Sequence, residues 1–316
     1  MARKLILDVD TGIDDALAIA YALASPELDL IGVTCTYGNV EVDQAVRNSL
    51  AILELFGRTD VPVYAGPQRE DFEVMEISQF IHGVNGIGEA ELYDASRAPE
   101  KLSAVEFMVQ SVHRYGDELV IVPVGPLTTV AEAVQRDEHF ASRAHIVCMG
   151  GALTVPGNVS AWSEANINQD PEAADVVFRQ CEDITMIGLD VTLQTLLTTV
   201  ETKQWRALRT TGGEFLAEAT DYYIKAYETT SPHLGGCGLH DPLAVAVAAD
   251  PSLVDTLAIN LKVDTEGETR GRTIGDETRL NDQDKHAAVA VRVDTAGFLE
   301  EFMRRLTGLA RETPVV

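Results

Sequence analysis

The chain has 316 residues, of which 46% are apolar and 23% charged, a composition that supplies a sizeable core and excludes a disordered or fibrous protein. Its formal net charge of -26 argues against a nucleic-acid backbone or an anionic membrane as principal partner, since both would repel such a surface. The four cysteines (Cys35, Cys148, Cys181 and Cys237) form no C-x-x-C pair, and residues 5–7 are the only continuous apolar run near the start, too short for a secretory signal; no run approaches the roughly 20 apolar residues of a membrane span, so a cytoplasmic protein is expected.

In chain order, residues 4–9 read as a strand and 13–24 as a helix whose apolar stripe is Ile13, Leu17, Tyr21 and Ala24. A strand over 30–36, a helix over 42–56 and a strand over 61–65 follow. Residues 119–124 predict the next strand, 127–135 a helix, 146–149 a strand, and Asp170-Pro171-Glu172 opens a helix that leads to a strand over 184–189. Strands apolar on both faces and separated by helices predict an α/β fold: an open, mostly parallel, Rossmann-like sheet with helices on both faces. Residues 257–263, 270–274 and 287–293 read as a strand cluster, a small antiparallel extension near the C-terminus, before a last helix over 297–306. Without repeats, low-complexity tracts or a Pro/Ser linker, one catalytic domain spanning 1–316 is expected. Two long Gly-rich stretches, 66–99 with His82-Gly83-Val84-Asn85-Gly86-Ile87-Gly88 and 231–239 with Gly235-Gly236-Cys237-Gly238, stand out as candidate functional loops.

In open α/β sheets ligands bind beyond the carboxyl ends of the strands. Here those ends carry Asp8-Val9-Asp10-Thr11-Gly12-Ile13-Asp14-Asp15, then Tyr37-Gly38-Asn39, Val124-Gly125-Pro126, and Met149-Gly150-Gly151 leading to Asn158, Glu164 and Asn166; the C-terminal Gly-rich loop ends in His240-Asp241-Pro242. Asp8, Asp10, Asp14 and Asp15 repel one another, and no Lys or Arg lies between residues 8 and 24 to neutralise them. A divalent cation is the economical answer, and a donor set made of oxygens favours calcium or magnesium over zinc. Structural readings stand beside this one, and for Asp241 a cap role and a metal role can coexist. Asp14 and Asp15 would also suit a helix N-terminus, and Asp241 followed by Pro242 reads as an N-cap and N1 pair.

Asp8-x-Asp10-x-Gly12-x-Asp14-Asp15-Ala16, Asn39, His82-Gly83, Gly157-Asn158, Glu164-x-Asn166, Asp170-Pro171-Glu172-Ala173-Ala174 and His240-Asp241-Pro242, in this order over nearly the whole chain, resemble the motifs of the inosine-uridine-preferring nucleoside hydrolase family. The resemblance implies calcium-dependent hydrolysis of the N-glycosidic bond of ribonucleosides to ribose and a free base. It implies calcium ligands at Asp10, Asp15, Asp241 and the backbone carbonyl of Val124, and a ribose-binding set of Asp14, Asn39, Asn158, Glu164 and Asn166 with Met149 beside the sugar. It also implies a small-molecule ribonucleoside as partner, and a homodimer or homotetramer. Thr11 stands where the family often has Pro, and Ala165 where it often has Phe, which leaves base preference and the 5′ end of the sugar open.

The residue chemistry agrees. Carboxylates and amides are natural partners for three ribose hydroxyls. Asp10 can take a proton from the attacking water, and negative oxygens stabilise the oxocarbenium character that develops. His240 and His82 are candidates to protonate the leaving base, and Tyr227 either lines the base pocket or packs in a helix core. Two other readings fit parts of the chain. Asp8-Val9-Asp10-Thr11 and Gly275-Asp276 match a haloacid-dehalogenase-like phosphatase, although the chain has only six Lys, of which Lys203, Lys225 and Lys262 sit in poor contexts for phosphate. A non-catalytic nucleoside- or calcium-binding protein would keep the carboxylates and release no product.

Overall fold

The computed structural model describes residues 2–316. Among the described residues twelve strands are formed: β1 (Arg3–Val9), β2 (Leu28–Cys35), β3 (Val63–Ala65), β4 (Leu119–Pro123), β5 (Ile146–Met149), β6 (Ile184–Ile187), β7 (Leu196–Leu197), β8 (Cys237–Gly238), β9 (Val254–Ile259), β10 (Leu261–Val263), β11 (Thr273–Gly275) and β12 (Ala287–Val293). The helices are α1 (Ile13–Leu23), α2 (Val42–Leu55), α3 (Glu76–His82), α4 (Ala104–Tyr115), α5 (Thr128–Arg136), α6 (Phe140–Arg143), α7 (Ala165–Gln169), α8 (Pro171–Gln180), α9 (Leu189–Thr192), α10 (Thr199–Arg206), α11 (Thr211–Thr230), α12 (His240–Ala249) and α13 (Thr295–Arg311).

Eight strands form the central sheet in the order β3-β2-β1-β4-β5-β6-β12-β9. Every pairing in it is parallel except β12 with β9. Period-two alternation explains why both faces are covered. Leu5, Leu7 and Val9 of β1 point into one core with α1, α2, α11, α12 and α13, while Ile6 points into the other with α4, α5 and α8. The α/β class and the mostly parallel sheet are as expected from the sequence.

The chain builds β1 to β3 toward one edge, then returns to place β4 on the other side of β1, where Asp8 pairs with Pro123. The reversal between β1 and β4 is a topological switch point, and it leaves a crevice beyond their carboxyl ends. Asp10 and Val124, the residues just past these strands, flank that crevice.

The late segments depart in detail. The single strand expected over 257–263 is two: β9 stays in the main sheet, and β10 pairs antiparallel with β11 in a separate ribbon. Asn260 divides them. Its buried side chain donates to the carbonyls of Arg279 and Asp284 and accepts from the His286 N–H, which ties the chain to a different loop and ends the ladder. The strand expected to reach Leu189 stops at Ile187, because α9 begins there, and α13 runs past both expected ends from its Asp294 cap. The 66–99 stretch holds a two-turn helix, α3, which ends at His82 where Gly83 takes φ +81°, a conformation open to glycine. Helices α4 and α10 stand where the sequence reading assigns no element; both open on capping boxes, Ser103 with Glu106 and Thr198 with Glu201. All four cysteines are buried and unpaired. Among the described residues no helix is long and apolar enough to cross a membrane.

Candidate active site

A cleft of about 470 Å³ opens over the switch point. Of the residues singled out from the sequence, Asp14, Asn39, His82, Val124, Met149, Asn158, Glu164, Asn166, Tyr227, His240 and Asp241 line it. Asp10 and Asp15 do not; both are fully buried behind that lining. Helix α3 and the 154–163 loop flank the mouth with Ile77, Ile81, Pro156 and Val159.

The floor is built from the end of β1. The backbone N–H of Asp10 donates to Asp15 Oδ1 at 3.0 Å, and that of Gly12 donates to Asp15 Oδ2 at 2.8 Å. Asp15 thereby closes the first turn of α1 while its carboxylate stays under the cleft, so the capping and ligand readings coexist. Asp10 Oδ2 accepts the Asn39 N–H at 2.6 Å, and its Oδ1 is buried without a partner. Gly38 and Gly125 close over this carboxylate; a Cβ on Gly38 would sit 2.1 Å from Oδ2 and one on Gly125 2.9 Å from Oδ1. Asp14 also keeps a buried, unpartnered Oδ1.

Helix α12 corrects the capping expectation for Asp241. The helix starts at His240, its N-cap is Leu239, and no side chain caps it, because Asp241 already lies within the first turn with Pro242 behind it. The Asp241 carboxylate is instead turned to the cleft, where one oxygen each of Asp14, Asp15 and Asp241 lies within 4.8 Å of the others. Asp10 is not part of this triplet. It remains electrostatically linked to it, since the charges of Asp15 and Asp14 both act on Asp10.

Among the described residues no Lys or Arg lines the cleft. Burial first, and mutual repulsion second, pushes Asp10 and Asp241 well above the ordinary carboxylate range and Asp14 up to about 8; burial likewise raises Asp15 and Glu164. Such a set is uncomfortable unless a positive charge joins it. Two unpartnered buried oxygens, three converging carboxylates and an all-oxygen donor set fit a hard divalent cation.

A consequence follows for stability. A carboxyl whose folded pKa is raised binds more protons folded than unfolded between its two pKa values, so stability falls as pH rises through that window. His82 and His240, lowered in the fold, oppose this only weakly above about pH 6.5, because the unfolded imidazoles are already at least half neutral there. Protein stripped of divalent cations is therefore expected to lose about 4 °C in Tm between pH 6.5 and 8, and an added divalent cation should raise Tm more at pH 8 than at 6.5. A Tm that rises over that interval in calorimetry would refute the argument.

One wall is made of amides. Glu164 caps α7, its carboxylate accepting from the N–H groups of Gly151, Asn166 and Ile167. Asn166 Nδ2 donates to the carbonyls of Val124 at 2.7 Å and Met149 at 3.2 Å, leaving its Oδ1 for a ligand; the Val124 carbonyl keeps a second lone pair. Asn158 Oδ1 accepts the Ala165 N–H, which leaves its amide donors free.

The opposite wall is aromatic. His82 Nδ1 accepts the Ile13 N–H at 3.1 Å, so its neutral ring carries the proton on Nε2. Tyr227 OH and His240 Nε2 lie 2.6 Å apart, and His240 Nδ1 lies 2.8 Å from Thr192 Oγ1. Burial lowers His82 to about 3 and His240 to about 4, so both are neutral near pH 7. Tyr227 therefore faces the cleft and is not simply helix core.

Sequence reading missed Tyr223 and Thr192. Tyr223 sits one turn before Tyr227 on α11, its hydroxyl 3.4 Å from Asp14 Oδ2 and its ring 5.3 Å from that of His82. The i, i+4 tyrosine spacing was a usable signal; Thr192 had none.

The phosphatase reading fails on geometry. Asp8 is fully buried with Oδ1 accepting from Thr34, and the Asp276 carboxylate is taken up by Arg179 and Arg279.

Comparison with known proteins gives a consistent answer. The family described as inosine-uridine preferring nucleoside hydrolase matches residues 5–300. The chain is 38% identical to a probable uridine nucleosidase 2 of Arabidopsis thaliana, over 96% of this chain and 97% of the relative. It is 36% identical to the pyrimidine-specific ribonucleoside hydrolase RihA of Shigella boydii, over 97% and 99%. A solved purine-preferring ribonucleoside hydrolase from Gardnerella vaginalis is 61% identical and superposes with a TM-score of 0.96, covering 98% of this chain and 99% of that one.

Proposed function

The chain belongs to the inosine-uridine preferring nucleoside hydrolase family, and from that premise we propose that it is a calcium-dependent enzyme that favours purine ribonucleosides, with residues 1–316 acting as one catalytic domain. That it is a hydrolase of ribonucleosides follows from the family, and this excludes the non-catalytic binding alternative. Metal identity, mechanism and base preference are our reading.

One observation carries it: a single cleft joins a group of carboxylates with no Lys or Arg in its lining to a hydrogen-bonded Tyr227–His240 pair. Asp15, Asp241, Asp10 and the Val124 carbonyl would hold calcium. Bound there, the ion supplies a Lewis acid for water and for ribose hydroxyls. Asp14, Asn39, Asn158, Glu164 and Asn166 bind the sugar, with Met149 against its ring. Asp10 Oδ1, an acceptor without a donor, takes the proton of the attacking water as the water oxygen bonds to C1′. The carboxylates around the sugar stabilise its oxocarbenium character as the C1′–N bond breaks.

At the base end, the Tyr227 hydroxyl gives its proton to the departing base while His240 Nε2–H steadies the phenolate left behind. The proton on Asp10 returns to Tyr227 through solvent, which balances the turnover. His82 Nε2–H offers a second contact to the base. A proton donor at this end favours purines, because a departing purine has a basic ring nitrogen, N7, away from the bond that breaks. The purine-preferring relative from Gardnerella vaginalis, at 61% identity, supports the same preference over the uridine and pyrimidine specificities named for relatives at 36–38%. Four buried, unpaired thiols support a reducing, cytoplasmic setting. The homodimer or homotetramer stays part of the proposal, and light scattering tests it.

The deciding assay is reducing-sugar release from a panel of purine and pyrimidine ribonucleosides, with and without a chelator. We expect ribose release, fastest with inosine or another purine ribonucleoside, lost on chelation and restored by calcium. Undiminished release in chelator sinks the metal requirement, and faster uridine turnover sinks the base preference.

A further inference from the structure

Thr192 is the last residue of α9, fully buried, and no step above uses it. Its Oγ1 has one hydrogen-bond partner, His240 Nδ1 at 2.8 Å. His240 Nε2 in turn meets Tyr227 OH at 2.6 Å. These two contacts allow two proton arrangements with opposite consequences. If Nδ1–H donates to Thr192, the bare Nε2 must accept from Tyr227, and the tyrosine has no proton to offer the cleft. If Thr192 O–H donates to Nδ1, the ring carries its proton on Nε2, donates to the Tyr227 oxygen, and frees the Tyr227 proton for the base.

Burial decides between them. In the first arrangement the Thr192 hydroxyl proton has no partner in a fully buried site, and a buried unsatisfied donor is costly. In the second that proton is bonded, and the hydroxyl proton left over is that of Tyr227, which lines the cleft where water or substrate can accept it. The Thr192 backbone is already anchored, its N–H donating to the Gly188 carbonyl and its own carbonyl accepting from the N–H and the hydroxyl of Thr195, so the side chain is held in place to donate.

We infer that Thr192 is a positioning residue that holds His240 in the Nε2–H tautomer and thereby makes Tyr227 the proton donor to the leaving base. The inference rests on the proposed role of Tyr227 and deepens it. Threonine to valine keeps the β-branched shape and removes the hydroxyl; threonine to serine keeps the hydroxyl.

The test compares kcat for inosine, whose base needs a proton, with kcat for a nitrophenyl riboside, whose leaving group does not. For Thr192→Val the His240 ring loses its anchor at Nδ1 and is free to turn out of line with Tyr227, so the inosine-to-nitrophenyl-riboside ratio should fall about 10- to 100-fold, up to the lower end of general-acid effects, and Thr192→Ser should bring it back to within about threefold of wild type. A ratio unchanged in Thr192→Val, or equally low in both variants, overturns the role. Independently of whether the valine variant folds, 15N NMR of the histidine rings in the wild-type protein reads the tautomer directly. A protonated Nε2 on His240 is expected, and a protonated Nδ1 overturns the inference. Wild-type protein inert toward both substrates would overturn the proposed function itself, and the NMR result would still decide what Thr192 does.

Discussion

Asp10→Asn is expected to lower kcat for inosine by about 10³- to 10⁴-fold with KM changed by less than about threefold, the pattern of a lost transition-state interaction. The substitution is nearly isosteric, and the site dictates how the amide must lie. Oδ2 accepts the Asn39 N–H, so the amide oxygen has to take that position. The NH₂ group then replaces Oδ1, the unpartnered oxygen beside Gly125. The variant keeps the packing of Gly38 and Gly125 and the Asp10 N–H bond to Asp15, and loses only the atom that can accept a proton from water. Metal content should be measured alongside, because Asp10 is also a proposed ligand. A calcium-loaded variant that turned over near the wild-type rate would show that another group is the base.

His240→Ala is expected to lower kcat for inosine by about 10²- to 10³-fold and kcat for a nitrophenyl riboside by less than about tenfold. His240 sits in the first turn of α12, one residue before Asp241, and is buried. Burial leaves it neutral near pH 7, with a pKa lowered to about 4, so in the proposed mechanism it donates Nε2–H to the Tyr227 oxygen and does not serve as an imidazolium. Removing it strands the phenolate that forms when the base takes the Tyr227 proton. A nitrophenolate leaves without a proton and is spared most of that loss. Equal losses on the two substrates in steady-state kinetics would assign His240 a packing role beside Asp241 instead.

Much of this protein was legible before folding. Runs such as 5–7 and 119–124 are apolar at every position, which marks a sheet buried on both faces, and the helix between β1 and β2 announces itself by periodicity. The rim residues were legible for a related reason. A parallel sheet brings all strand ends to one side, so residues just past each strand, from Asp10 to Asn166, must meet. The misses have equally physical causes. Asn260 splits an apparently continuous strand through side-chain bonds to residues 19 to 26 positions away. Asp241-Pro242 carries a cap signature, yet the helix starts two residues earlier and leaves the carboxylate to the cleft.

The sequence by itself determined the α/β class, the family and the roster of carboxylates, amides and imidazoles, because these depend on residue type, periodicity and order along the chain. Only the tertiary structure decided that Asp14, Asp15 and Asp241 converge while Asp10 lies behind the cleft lining, that His82 and His240 are stripped of charge, and that Thr192 and Tyr223 belong to the site. Those outcomes depend on distances between residues up to 227 positions apart and on how much water reaches them, and neither quantity is written in local pattern.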